Sequence, residues 1–161
     1  MKNVLLIGDS IRMGYDSYVQ KHLEGKANVF FPEDNGRFAQ YVMRYLSEWQ
    51  AQLNLDHVDV IHWNAGLWDI FHMCVGNVGA DGETAGTTFV PPTNQKKLHF
   101  EKEPVTPPEI YRYFIGRVQQ RIEQLFPNAV NIFATTTPIR VGEYTYGFRS
   151  NEEVEQYNQI A

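Results

Sequence analysis

A chain of 161 residues, 43% hydrophobic and 20% charged, can bury one core without staples, and that balance excludes a disordered segment. A formal net charge of −5 leaves no cationic excess for phosphate backbones or anionic lipid, so neither nucleic acid nor membrane is an expected partner. The one cysteine, Cys74, has no internal partner, and the apolar run near Met1 covers only residues 4–7, so the expected location is the cytoplasm.

Val4-Leu5-Leu6-Ile7 ahead of Gly8 has the continuous apolar character of a strand buried on both faces. Residues 10–23 mix apolar and polar positions at helical spacing and run out at Gly25, a C-cap glycine. Asn28-Val29-Phe30-Phe31, stopped by Pro32, is a second strand. Over residues 37–55, Phe38, Tyr41, Val42, Tyr45, Leu46, Trp49 and Leu53 recur at threes and fours, which predicts an amphipathic helix. Residues 58–63 form a third strand that contains His62, expected to be packed.

Residues 72–108 are rich in Gly, Thr and Pro without a period, and predict a long surface excursion within a single domain spanning 1–161. Thr106 is the expected cap of the next helix, with Pro107 in its first turn. Ile110, Tyr113, Phe114, Val118, Ile122 and Leu125 are the expected buried face of that helix. Residues 131–135 form a fourth strand, and a polar helix begins near Asn151.

Strands alternating with helices imply right-handed βαβ units and a parallel sheet covered on both faces. In such sheets the working residues gather beyond the carboxyl ends of the strands. Gly8-Asp9-Ser10, Asn35-Gly36, residues 64–69 and Thr135-Thr136-Thr137-Pro138 then share one rim. Ser10 has two readings there: a cap on the first helix, or a nucleophile exposed at the rim. Gly36 is either a plain turn glycine or a place where backbone must approach a ligand closely.

The blocks Ile7-Gly8-Asp9-Ser10-Ile11, Asn35-Gly36-Arg37-Phe38, His62-Trp63-Asn64-Ala65-Gly66-Leu67-Trp68-Asp69 and Ala134-Thr135-Thr136-Thr137-Pro138 come in chain order. In that order they resemble the GDSL/SGNH hydrolases, and the stretch from Asn151 to Asn158 is similar to the helix before that family's last strand. The resemblance implies a three-layer α/β/α sandwich with a parallel, flavodoxin-like sheet. It also implies hydrolysis of a small-molecule carboxylic ester, acyl or acetyl, without cofactor or metal. Ser10 would be the nucleophile, and its N–H would share the oxyanion with the Gly36 N–H and an asparagine side chain. Asp9, Gly66, Trp68 and Asp69 would support them.

Two departures from the family pattern stand out. Its third block commonly reads Gly-x-Asn-Asp, whereas Gly66-Leu67-Trp68-Asp69 has tryptophan at the asparagine position, so Asn64 becomes the candidate side-chain donor, with local loop bonding as its alternative. Asp69 is expected to order the loop rather than act as an acid, and Trp68 to line an acyl pocket or pack. The family's base and orienting acid come from an Asp-x-x-His segment after a fifth strand, and no Asp-x-x-His follows the fourth strand here, the two in the chain being Asp59–His62 and Asp69–His72. The expectation is a chain lacking its last strand and helix, about 40 residues at usual element lengths.

His72 and His99 are expected as solvated surface histidines, and His72 with Cys74 is too small a ligand set for zinc. Arg140 and Arg149 are expected to be solvated, contact with an acidic substrate group being the alternative. The aromatic stretch 144–148 is either a substrate-contacting loop or a cover for the core. The competing functional readings are a catalytically silent SGNH-fold protein that binds a ligand or partner, and an unrelated flavodoxin-like or receiver-like module. The latter lacks the expected paired acids and phosphate-binding loop.

Overall fold

A computed structural model describes residues 1–77, 98–140 and 147–161, without side-chain detail for 75–77, 98–99 and 147. Four parallel strands, β1 (Lys2–Ile7), β2 (Ala27–Phe30), β3 (Val60–Trp63) and β6 (Val130–Phe133), form a sheet in the order β2-β1-β3-β6. β1 is central because it can be: Leu5, Leu6 and Ile7 point alternately to both faces and all are buried. Its register sets Leu5 against Phe30 on one side and Ile7 against Trp63 on the other.

The helices are α1 (Ser10–His22), α2 (Ala39–Gln52), α3 (Pro108–Leu125) and α4 (Asn151–Ile160). The strand order reverses direction at β1, so right-handed crossovers place α1 on one face and α2 and α3 on the other. The result is a three-layer α/β/α sandwich. Val42, Leu46 and Trp49 of α2 are buried, as the spacing predicts, and Tyr41 stacks on Tyr45 with centroids 4.3 Å apart. Each such aliphatic side chain contributes roughly 1.5–3 kcal/mol by leaving water.

The buried face of α3 differs from the expected one. Tyr111, Ile115, Val118 and Ile122 point inward, while Ile110 and Tyr113 are 43% and 53% exposed. Val118 and Ile122 are buried as expected and Phe114 and Leu125 pack partly buried against the core, so the difference lies in the first two turns, where Tyr111 and Ile115 take the place of Ile110 and Tyr113. Tyr111 explains the choice: its hydroxyl donates to the Ala65 carbonyl at 2.9 Å, and its ring packs on Tyr157 with centroids 4.7 Å apart. Thr106 is not the cap. The helix starts at Pro108 behind Pro107, and Thr106 is buried, its N–H donating to the Asp69 carbonyl and its own carbonyl accepting from the Tyr157 hydroxyl.

Within the stretch expected to be an irregular excursion, β4 (His72–Asn77) pairs antiparallel with β5 (Leu98–Phe100), with a bulge between Cys74 and Gly76. β4 also pairs antiparallel with β7 (Gly147–Phe148), His72 lying opposite Phe148. Residues 78–97, and the expected aromatic loop up to Tyr146, lie outside the described residues. α4 begins with a reciprocal capping box, in which Ser150 Oγ accepts from the Glu153 N–H while the Glu153 carboxylate accepts from the Ser150 N–H. Among the described residues no helix is long and apolar enough to cross a membrane.

Candidate active site

The carboxyl ends of β1 and β3 stand side by side where the strand order reverses, the usual place for a ligand in an open α/β sheet. Ser10 is the first residue of α1, is exposed, and its hydroxyl makes no hydrogen bond to a described residue. Capping falls to its neighbour: Asp9 is fully buried and its Oδ1 accepts from the Ile11 N–H at 2.9 Å. The capping reading of Ser10 is thereby removed. A helix N-terminus with its cap already supplied leaves the serine at the positive end of the helix dipole.

The Asn64 side chain crosses to Asp9, its Nδ2 donating to Asp9 Oδ1 at 3.0 Å, and only 4% of the residue is exposed. It lies directly over Gly8, where an added Cβ would come within 1.8 Å of Asn64 Oδ1. Gly36 closes the other side, and its N–H donates to the Gly8 carbonyl at 2.8 Å. This corrects the expectation for Gly36: its N–H is engaged with β1 rather than turned to the rim. Its lack of a side chain is what the site uses, since a Cβ there would stand 2.7 Å from the Gly8 oxygen. The three predicted blocks do converge, and Gly8 is the point they share.

Gly66 adopts φ +142, which favours glycine, and a Cβ there would meet Thr136 Oγ1 at 2.6 Å. Asp69 is buried, its carboxylate accepting from the Ala39 N–H at 3.1 Å and tying the third block to the start of α2. Burial pushes its pKa up to about 7, the Asp9 charge adding to the rise while the hydrogen bonds from Thr106 and Ala39 oppose it. Trp68 is half-buried and meets the Phe38 ring edge-on at 5.6 Å, so the second and third blocks contribute one aromatic wall.

Four buried side-chain polar atoms have no hydrogen-bond partner among the described residues: Asp9 Oδ2, Asn64 Oδ1, Thr136 Oγ1 and Arg12 Nε. Three of them belong to the rim segments, which marks the rim as the part of the fold not optimised for stability, since each such atom costs about 1–3 kcal/mol.

The histidines separate clearly. His62 is packed as expected, its Nδ1 3.3 Å from the Tyr15 hydroxyl, and burial lowers its pKa. His72 is not a solvated histidine; it is 6% exposed, with Nδ1 2.8 Å from the Glu101 carbonyl and Nε2 2.5 Å from Glu153 Oε1. Both ring nitrogens are occupied by these contacts, with the Glu101 carbonyl and the Glu153 carboxylate. The His99 side chain lies outside the described residues.

Arg149 also departs from its expected solvated state. It is half-buried, its Nε donates to the Leu67 carbonyl at 2.6 Å, and its guanidinium lies 4.6 Å from the Phe71 ring centre. Burial lowers its pKa, and the Asp9 carboxylate opposes that fall. Nothing in the run Phe148-Arg149-Ser150 marks this position; its partners come from the third block, far away in sequence.

Removal of the Asn64 amide is expected to matter beyond its bond count. Asn64→Ala leaves the buried Asp9 carboxylate with the Ile11 N–H as its side-chain donor, so we expect a loss of about 1.5–3 kcal/mol in denaturant unfolding. A midpoint unchanged from the parent would show that the bond contributes nothing to the fold.

Neither a known protein-family profile nor a curated protein matches the chain. Among solved structures, it is similar to an acetyl xylan esterase, with a TM-score of 0.61 at 14% identity. The match covers 98% of this chain and 69% of that one. At that identity the likeness establishes the shared fold.

Proposed function

We propose that this protein is a serine esterase of the GDSL/SGNH type that cleaves acyl or acetyl esters through an acyl-enzyme on Ser10. The observation that carries this reading is the division of labour at the start of α1. Asp9 does the capping, while Ser10 stands exposed at the sheet's switch point. The esterase activity of the structural neighbour supports the same reaction class.

In this reading Ser10 Oγ attacks the ester carbonyl and the alkoxide leaves with a proton. The Ser10 N–H at the helix N-terminus receives the oxyanion, together with the second Asn64 amide hydrogen, the first being bound to Asp9. Asn64 must shift slightly outward to reach it. The Gly36 N–H would join only if it left the Gly8 carbonyl. The proton acceptor is a histidine oriented by an aspartate, in an Asp-x-x-His arrangement beyond the fourth strand; the chain's own runs, Asp59–His62 and Asp69–His72, have their histidines against Tyr15 and Glu153.

The inward engagement of Gly36 and Asn64 favours one second reading, a catalytically silent protein of the same fold that holds an acylated ligand at the rim. Hydrolysis of a chromogenic acetyl ester decides between them. With a C-terminal Asp-x-x-His segment present beyond the fourth strand, Ser10→Ala should cut kcat by at least about a thousandfold while leaving the melting temperature nearly unchanged. The 161-residue chain alone should stay close to the variant. Full activity in Ser10→Ala would remove Ser10 as nucleophile. Ligand binding with no Ser10-dependent turnover in any form would favour the silent reading.

A further inference from the structure

Arg149 is placed like a recognition residue rather than a strut. Its Nε is committed to the Leu67 carbonyl, in the loop between Gly66 and Trp68. Its guanidinium carbon lies over the Phe71 ring, 4.6 Å from the ring centre, a cation–π contact that helps to hold the group in place. Neither Nη makes a hydrogen bond to a described residue, and neither is among the buried orphaned atoms, so among the described residues nothing occupies the outer fork.

The charge environment agrees with the geometry. Asp9, whose carboxylate favours the Arg149 cation, immediately precedes Ser10. Both side-chain bonds to that carboxylate go to Oδ1, Oδ2 has no hydrogen-bond partner among the described residues, and Asp9 acts on Arg149 through its charge rather than through a hydrogen bond. A half-buried guanidinium anchored through one nitrogen, held over a ring and facing a rim is suited to a planar oxyanion, which it grips through two parallel N–H bonds. A neutral acetyl ester has no group that uses it.

We infer that Arg149 is the specificity residue of this site, and that it selects esters carrying a carboxylate near the scissile bond. The inference rests on the esterase reading for the word ester; the anion preference itself is a property of the rim. Arg149 does not touch the reacting atoms and is not a catalytic residue. It holds the acidic end of the substrate while the carbonyl lies at Ser10.

The test compares 4-acetoxybenzoate with phenyl acetate, two acetyl esters that differ by one carboxylate. Calorimetric binding to the full chain carrying Ser10→Ala reads recognition without turnover. We expect the anionic ester to bind about 10- to 100-fold more tightly, the worth of a hydrogen bond to a charged group. Arg149→Gln should erase that preference while phenyl acetate binding stays unchanged. Arg149→Lys, which keeps the charge but loses the fork, should retain part of it and guards against a folding artefact. A strut alone would weaken both esters together. Equal binding of the two esters by the Ser10→Ala chain, or a preference that survives Arg149→Gln, overturns the inference. A preference that depends on Arg149 in a protein with no Ser10-dependent hydrolysis would sink the esterase reading and leave the anion site standing.

Discussion

Gly36→Ala is expected to lower the melting temperature by about 6–12 °C, more than any other single methyl group added at the rim. The new Cβ would stand 2.7 Å from the Gly8 carbonyl oxygen and 2.9 Å from its carbon, both backbone atoms of the β1–α1 junction. Neither can rotate aside. Relief requires the loop to separate from β1, which breaks the 2.8 Å bond from the Gly36 N–H to the Gly8 oxygen. Overpacking of about 1–3 kcal/mol and a lost buried backbone bond of about 1–3 kcal/mol give a total near 3 kcal/mol. For a domain of this size, each kcal/mol shifts the midpoint by about 2–4 °C. Gly8→Ala should be milder despite its nominal 1.8 Å contact, because the obstacle is a side-chain end, Asn64 Oδ1. Calorimetric scans of the two variants give the comparison, and a Gly36→Ala protein melting with the parent would mean that the loop is free to move.

The second large effect belongs to Asp69 and is read against pH. Its carboxyl titrates at about 7 in the folded protein, against 3.8 as the ordinary value. Between about pH 4 and pH 7 the folded chain therefore keeps a proton that the unfolded chain has released. Stability from this group is greatest below about pH 4, falls as pH rises through that window, and is constant above it. The loss is on the order of a few kcal/mol, since each tenfold difference in proton affinity between the folded and unfolded chain is worth about 1.4 kcal/mol. Asp69→Asn does not titrate, and its amide oxygen can still accept from the Ala39 N–H. The variant should equal or exceed the parent in stability near pH 7 and show a flatter profile between about pH 4 and 7. Urea midpoints measured across that range would run parallel for the two proteins if Asp69 were ionised throughout.

The parallel sheet was legible because its central strand is buried on both faces, so Val4-Leu5-Leu6-Ile7 declares itself without reference to any partner. The α2 stripe was legible for the same reason, since its period is a local property. The inward side of the first two turns of α3 was not. Ile110 and Tyr113 are as apolar as Tyr111 and Ile115, and the choice between the two faces rests on a hydroxyl reaching Ala65 and a ring meeting Tyr157. β4 and β5 were hidden because their short segments, with His, Cys and Gly in them, show no alternation that predicts pairing. At the rim, the convergence of Ser10, Gly36 and Asn64 follows from strand order and could be anticipated. The direction of the Gly36 N–H depends on a single peptide orientation, which residue types do not encode. Arg149 carries no local signal because what makes it unusual, burial against Leu67 and Phe71, is supplied entirely by another segment.

The pairing of His72 with Phe148 carries a kinetic consequence. β4 and β7 pair across α3 and β6, a wider sequence separation than in the other described strand pairs, so this closure should be among the later events of folding. β7 is two residues long, and Phe148 packs its ring against His72 and Phe100. Native-state hydrogen exchange should find the Gly147 and Phe148 amides opening far more often than those of β1, without global unfolding. Arg149 follows directly on that strand. Each such opening would carry the guanidinium off Leu67 and back again, so substrate capture at the rim and the breathing of the smaller sheet would keep the same clock.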